Sequence, residues 1–108
     1  MSLPRLSNLQ ILVLGALLHG ELRGQDLRTR LKEFGAKKSG PSFYQLMARL
    51  EDTTFVSGHY VQEIVDGQII RERVYRIEGV GRKAWAANRE FQLSVIQRFD
   101  AKKGTSRA

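Results

Sequence analysis

The chain has 108 residues, 42% hydrophobic and 27% charged, which bounds it to one small globular domain. Lys and Arg number 18 against 11 Asp and Glu, so the formal charge is +7, a balance that suits a polyanionic partner or belongs to a generically basic protein, with charge placement to decide. Cysteine is absent, which excludes disulfides, thiolate nucleophiles and zinc–thiolate sites together, and no apolar run reaches the roughly 18 residues of a membrane span.

Taken in order, Ser7 and Gln10 have the spacing of a capping box, with Leu6 and Ile11 placed as a hydrophobic staple. The helix they open runs to Leu18 and stops at His19-Gly20. Leu9, Ile11, Leu12, Val13, Leu14, Ala16, Leu17 and Leu18 surround nearly its whole circumference. Such a helix is buried on all sides, and so small a domain needs another element or a second chain to cover it. Glu21 to Arg23 is the length of a short strand. Gly24 opens a second helix, in which Leu27, Leu31 and Phe34 form a narrow apolar stripe and Arg28, Arg30 and Lys32 lie outside it.

The third helix spans the stretch PSFYQLMARLED. Gly40 stands as its N-cap and Pro41 at its first position, where a missing N–H costs nothing. Phe43, Leu46, Met47 and Leu50 fall on one stripe, while Ser42, Tyr44, Gln45 and Arg49 occupy the other face. Hydroxyl, amide and guanidinium groups are the types that read base edges and phosphates. Tyr44 could equally serve to cover the helix. Lys37, Lys38 and Ser39 precede this helix, and its first N–H groups beside two lysines make a phosphate seat. Glu51 and Asp52 at the far end would repel a duplex, so the helix would enter a groove by its N-terminal half.

Ser57-Gly58 reads as a turn, followed by an alternating strand from His59 to Val65. Asp66-Gly67 is a two-residue hairpin signal of type I′, and Gln68 to Ile77 returns as the partner strand. Arg71, Arg73, Tyr75 and Ile77 share one face of it. Arginines on a hairpin either decorate a solvated face or reach a DNA backbone or minor groove. A last helix from Gly81 to Lys103 carries Ala84, Trp85, Ala87, Phe91, Val95, Ile96 and Phe99 over about half its circumference. That width suits a homodimer interface, although Trp85 by itself is as well read as core. Residues 104–108 read as a disordered tail.

The expected fold is α+β, mainly α with a β-hairpin: a winged helix-turn-helix domain in residues 1–80 and a dimerisation helix in 81–103. In that order, LSNLQILVLGALLHGELRGQDLRTRL, FYQLMARLE, FVSGHY and VYRIEGVGRKAW resemble the PadR family of transcriptional regulators. The resemblance runs from about Leu6 to Trp85. It rests on Tyr44 followed by Arg49-Leu50-Glu51 in the third helix, and on Tyr75-Arg76-Ile77 leading to Gly81 after the wing. Val74 replaces one of the family's paired aromatics, and Glu78 replaces a threonine at the cap of the last helix. The single C-terminal helix is similar to that of the short-tailed subgroup.

The resemblance implies a cytoplasmic homodimer that binds double-stranded operator DNA, usually as a repressor, with a small hydrophobic effector in some members. The DNA-binding set is then Lys37, Lys38, Ser39, Ser42, Tyr44, Gln45, Arg49, Arg71 and Arg73. No cofactor or metal is expected. An enzymatic reading fails on inventory: only His19 and His59 could serve near neutral pH, His19 at a helix end reads as a cap or surface residue, and His59 starts a strand without a nearby nucleophile or carboxylate pair. The alternative from another class is a winged-helix module that docks a protein and no longer binds DNA.

Overall fold

A computed structural model describes residues 5–105. The elements are α1 (Asn8–Ala16), β1 (Leu22–Arg23), α2 (Gly24–Glu33), α3 (Gly40–Asp52), β2 (Val56–Val65), β3 (Gln68–Ile77) and α4 (Gly79–Thr105). The fold is α+β, four helices on a three-stranded antiparallel sheet of order β1-β3-β2. No described helix is long and apolar enough to cross a membrane. α4 begins earlier than the expected Gly81 and passes Lys103; residues 106–108 of the expected tail lie outside the described residues.

Local chemistry sets most boundaries. The capping box closes α1: Ser7 Oγ accepts from the Gln10 N–H at 3.1 Å, and Gln10 Oε1 accepts from the Ser7 N–H at 2.9 Å. The N-cap of α3 is Ser39, not Gly40. The Ser39 hydroxyl accepts from the Ser42 N–H at 3.3 Å, a bond glycine cannot make, and this moves Pro41 to the second helical position. α3 ends where Thr54 takes φ 63° and the Phe55 N–H returns to the Leu50 carbonyl at 3.1 Å, which swings the chain into β2. Ser57-Gly58 is therefore not a turn; both residues lie inside β2, opposite Arg76 and Tyr75.

The core gathers Val13, Leu14 and Leu17 from α1 and its cap, Leu27 and Leu31 from α2, and Phe43, Met47 and Leu50 from α3. Val56, Tyr75 and Ile77 close it from the root of the hairpin, with the Phe43 and Tyr75 rings edge-on at 6.2 Å. Within one chain α1 is not enclosed: Leu9, Ile11, Leu12 and Ala16 are only partly buried, on the side where a further element or a second chain is expected. Phe34, expected on the apolar stripe of α2, is the C-cap just past the end of the helix and is 72% exposed.

The wing joins α4 through a close backbone approach. The Glu78 N–H donates to the Phe55 carbonyl at 2.9 Å, and Gly81 passes against that same carbonyl. A Cβ on Gly81 would overlap the Phe55 oxygen and stand 3.0 Å from its carbonyl carbon. Arg82 Nη2 then donates to the Leu18 carbonyl at 3.0 Å, tying the start of α4 to the end of α1.

Two outcomes follow for stability. Gly81→Ala forces backbone against backbone and should cost about 1–3 kcal/mol, read as a lower urea midpoint at unchanged slope; an unchanged midpoint would refute the close approach. Burial pushes the Tyr75 hydroxyl up to about 12, with the nearby Glu51 carboxylate adding to the rise. A raised folded-state pKa gives stability that is intact below the unfolded value near 10 and lost as pH climbs through the folded one. Wild type should therefore lose roughly 2 kcal/mol between about pH 10 and 12 that Tyr75→Phe does not lose. Parallel alkaline denaturation curves for the two proteins would contradict this.

Candidate nucleic-acid interface

With its apolar stripe in the core, α3 leaves Ser42, Tyr44, Gln45 and Arg49 exposed on one side. Lys37 is exposed and Lys38 half-buried in the loop before it. Arg28 of α2 holds this loop: its Nη2 donates to the Lys38 carbonyl at 3.2 Å. Gln25, Arg28, Thr29, Lys32, Lys37 and Lys38 line a hollow of about 200 Å³. This hollow, at the place where a phosphate seat is expected, is lined by side chains. Of the first N–H groups, that of Ser42 is bonded to Ser39 Oγ, that of Phe43 goes to the Ser39 carbonyl at 2.9 Å, and Pro41 has none. Ser39 itself is occupied as the cap. Sequence reading missed Arg28 and Lys32 as members of this cluster, because they come from the exposed side of a different helix.

The two-residue turn fixes the wing. Asp66 and Gly67 both take positive φ, 52° and 77°, and Val65 pairs with Gln68. Counting back, Gln62 lies opposite Arg71 and Tyr60 opposite Arg73. The Tyr60 ring carries both arginines, with the Arg71 guanidinium 4.1 Å and the Arg73 guanidinium 4.7 Å from its centroid. Tyr44, Tyr60, Arg71, Glu72 and Arg73 line a cleft of about 270 Å³ between α3 and the wing. Tyr44 of the expected α3 face and both expected wing arginines therefore border one cleft.

Within that surface the two arginines differ. Arg73 Nη2 donates to Glu51 Oε1 in an ion pair across the strand, with both side chains about three-quarters buried at 25% and 23% exposure. The hydrogen bond to Glu51 is the main reason the Arg73 pKa is raised. Among the described residues Arg71 forms no ion pair. On the opposite wing face, Arg23 of β1 bridges Glu63 and Glu72, its Nη1 donating to Glu72 Oε2 at 3.0 Å. At the wing's base, Ser57 Oγ donates to Glu78 Oε1 at 2.5 Å, and this bond chiefly lowers the Glu78 pKa, with Arg76 adding to the effect. So Glu78 does hold the junction to α4, through its side chain on β2 rather than as a threonine-type cap.

The interface expected on α4 divides in two. Ala84 is 4% exposed and belongs to the chain's own core, and Trp85 packs against it with the indole Nε1 close to Gly15 of α1. Ala87 and Val95 are half-buried, whereas Phe91, Ile96 and Phe99 stand open at 54%, 54% and 67%. Leu93, 40% exposed, was not foreseen in this set. Ile11 and Trp85 join this side of α4 to an apolar groove of about 310 Å³ lined also by Leu12, Gly15, Ala16, Leu31 and Phe34, with Arg30 at its edge.

No protein-family model matches the chain and no curated protein matches it. Solved structures do. The chain is similar to Bacillus subtilis PadR in complex with operator DNA, at TM-score 0.62 and 23% identity over 74% of this chain. It spans only 45% of that protein's length. It is similar to a PadR family transcription regulator from Clostridium difficile R20291, at TM-score 0.70 and 18% identity over 86% of this chain and 98% of the other. A PadR family transcriptional regulator from Eggerthella lenta gives TM-score 0.64 and 23% identity over 87% and 79%. What these identities establish is architecture: the chain has the winged helix-turn-helix fold of the PadR-family regulators.

Proposed function

We propose that the chain is a sequence-specific DNA-binding transcriptional regulator that acts as a homodimer, in the repressor mode that the family resemblance implies. One observation carries this reading. Tyr44 on the exposed face of α3 and Arg71 on the wing line a common cleft, with the Lys37–Lys38 hollow at the start of α3. α3 would enter the major groove by its N-terminal half, with Ser42, Tyr44 and Gln45 toward base edges. Arg49, more than a turn further on, would reach the backbone. Lys37 and Lys38 would take phosphate, aided by Lys32, and the wing would lie on the adjacent backbone. That Bacillus subtilis PadR was solved with operator DNA supports the same use of this fold.

The homodimer rests on α4. Phe91, Ile96 and Phe99 lie on one side of α4 and stay open in the single chain, where α1 packs on α4. A second copy's α4 would cover them together with the partly open side of α1, which also accounts for the incomplete burial of Ile11 and Leu12. A small hydrophobic effector, where one exists, would find its apolar seat in the groove beside Trp85.

The protein-docking alternative draws on the wing tip, where Ile64, Val65, Ile69 and Ile70 are exposed around Asp66 with no cation among them. Selection of bound fragments from the source genome, followed by titration at several salt concentrations, separates the two readings. A regulator recovers a recurrent sequence, and its affinity falls steeply with salt. Lys37→Ala with Lys38→Ala should weaken all duplexes about equally and flatten the salt slope, while Gln45→Ala should weaken only the selected sequence. Absence of duplex binding at low salt would favour protein docking instead.

For the dimer, light scattering should give twice the 12.3 kDa chain mass at micromolar concentration. Phe91→Glu with Ile96→Glu should give the single-chain mass without unfolding. A wild-type monomer would contradict the dimer.

A further inference from the structure

We infer that Glu51 and Arg73 form a clasp that fixes the wing against α3, so that Arg73 is a positioning residue and Arg71 is the arginine left to meet the duplex. The inference rests on the DNA-binding reading above and divides its arginines by role.

Three observations converge on it. First, the neighbours of Arg73 come from three elements: Glu51 on α3, Tyr60 on β2, and Tyr75 on β3, whose ring centroid is 5.9 Å away. A guanidinium whose charge is already offset by a carboxylate, and whose face lies on a phenol ring, is held in one orientation rather than free to turn to a phosphate. Second, the pair crosses β2 at Gly58, the one residue there without a side chain. A Cβ at Gly58 would stand 2.6 Å from Glu51 Oε1, 2.9 Å from Arg73 Nε and 3.0 Å from Arg73 Nη2. The glycine makes room for the ion pair, which explains a glycine inside a strand where it otherwise costs stability. Third, the hairpin needs an anchor. Beyond its root the wing is two strands with an exposed tip, and β1 pairs with it only at Tyr75 and Val74. Arg23 anchors one face through Glu63 and Glu72; Glu51–Arg73 anchors the other.

Charge supports the same division. Were Arg73 to leave Glu51 for a phosphate, the carboxylate would be left unpaired beside the DNA backbone. Arg71 needs no such exchange, since it has the Tyr60 ring beneath it and no carboxylate partner among the described residues.

The test combines a structural readout with a binding one. Spin labels at Ala48→Cys on α3 and Gln68→Cys at the wing tip report the wing's position in the free protein, and the chain has no native cysteine to interfere. The distance distribution should be narrow in the otherwise unchanged protein and broad or shifted with Glu51→Gln, Arg73→Gln or Gly58→Ala. On DNA, each of these three should weaken the selected duplex by about tenfold while affinity for random duplex and the salt slope hold. Arg71→Gln should instead weaken both duplexes and flatten the slope by about one. Undisturbed distances in all three variants would overturn the clasp. So would an Arg73→Gln protein whose slope flattens on both duplexes, or a Glu51→Gln protein that binds every duplex more tightly, since Arg73 would then be a phosphate ligand that Glu51 restrains. A protein that binds no duplex would overturn the DNA reading, while the distances would still decide whether the pair holds the wing.

Discussion

The register of β2 on β3 is the constraint on which the candidate surface depends. Side chains alternate along a strand, so slipping the pairing by one residue would move every wing side chain of one strand to the other face. Asp66 and Gly67 prevent this by closing the hairpin in two residues at positive φ. From that turn, pairing leads without interruption to Val56 opposite Ile77. One face of this ladder runs from the core through Tyr75 to Arg73, Arg71 and Tyr60. The other carries Glu63 and Glu72, bridged by Arg23. A single turn thus makes the wing cationic toward α3 and puts these carboxylates on its back.

The net charge of +7 acquires meaning from this placement. The cations are not spread evenly: Arg28, Lys32, Lys37 and Lys38 gather at the entry to α3, and Arg71 lies across the cleft from Tyr44. Two of the wing-side arginines, Arg23 and Arg73, are held in ion pairs with carboxylates. Partly exposed pairs of this kind contribute on the order of 1 kcal/mol each to stability. Their importance is geometric, since they fix the direction of a slender hairpin that has little core of its own.

What was legible in the sequence was local. The Ser7–Gln10 box, the Asp66-Gly67 turn and the Phe43–Met47–Leu50 stripe each depend on residues a few positions apart, and each is found in the structure as read. Tyr60 could also have been found, because counting outward from a two-residue turn places it opposite Arg73. Gly58 could not. Serine-glycine is a turn signal locally, and the need for a bare backbone comes only from Glu51 and Arg73 meeting above it. A proline after Gly40 points to the glycine as the cap, but the Ser39 hydroxyl, which accepts from the Ser42 N–H, decides. Phe34 kept the helical spacing, but the helix ended one residue before it. On α4, spacing alone could not tell Ala84, which faces its own core, from Phe99, which faces outward.

The central claim is that α3 and the wing act as one DNA surface, with α4 elsewhere engaged. Its most direct test is an NMR titration of the labelled protein with a duplex selected for binding, followed by amide shifts and line widths. The account predicts that Lys37, Lys38, Ser42, Gln45 and Arg71 respond together and saturate at one stoichiometry, while Phe91, Ile96 and Phe99 do not move. Changes confined to α4 and the groove beside Trp85, with α3 silent, would contradict it.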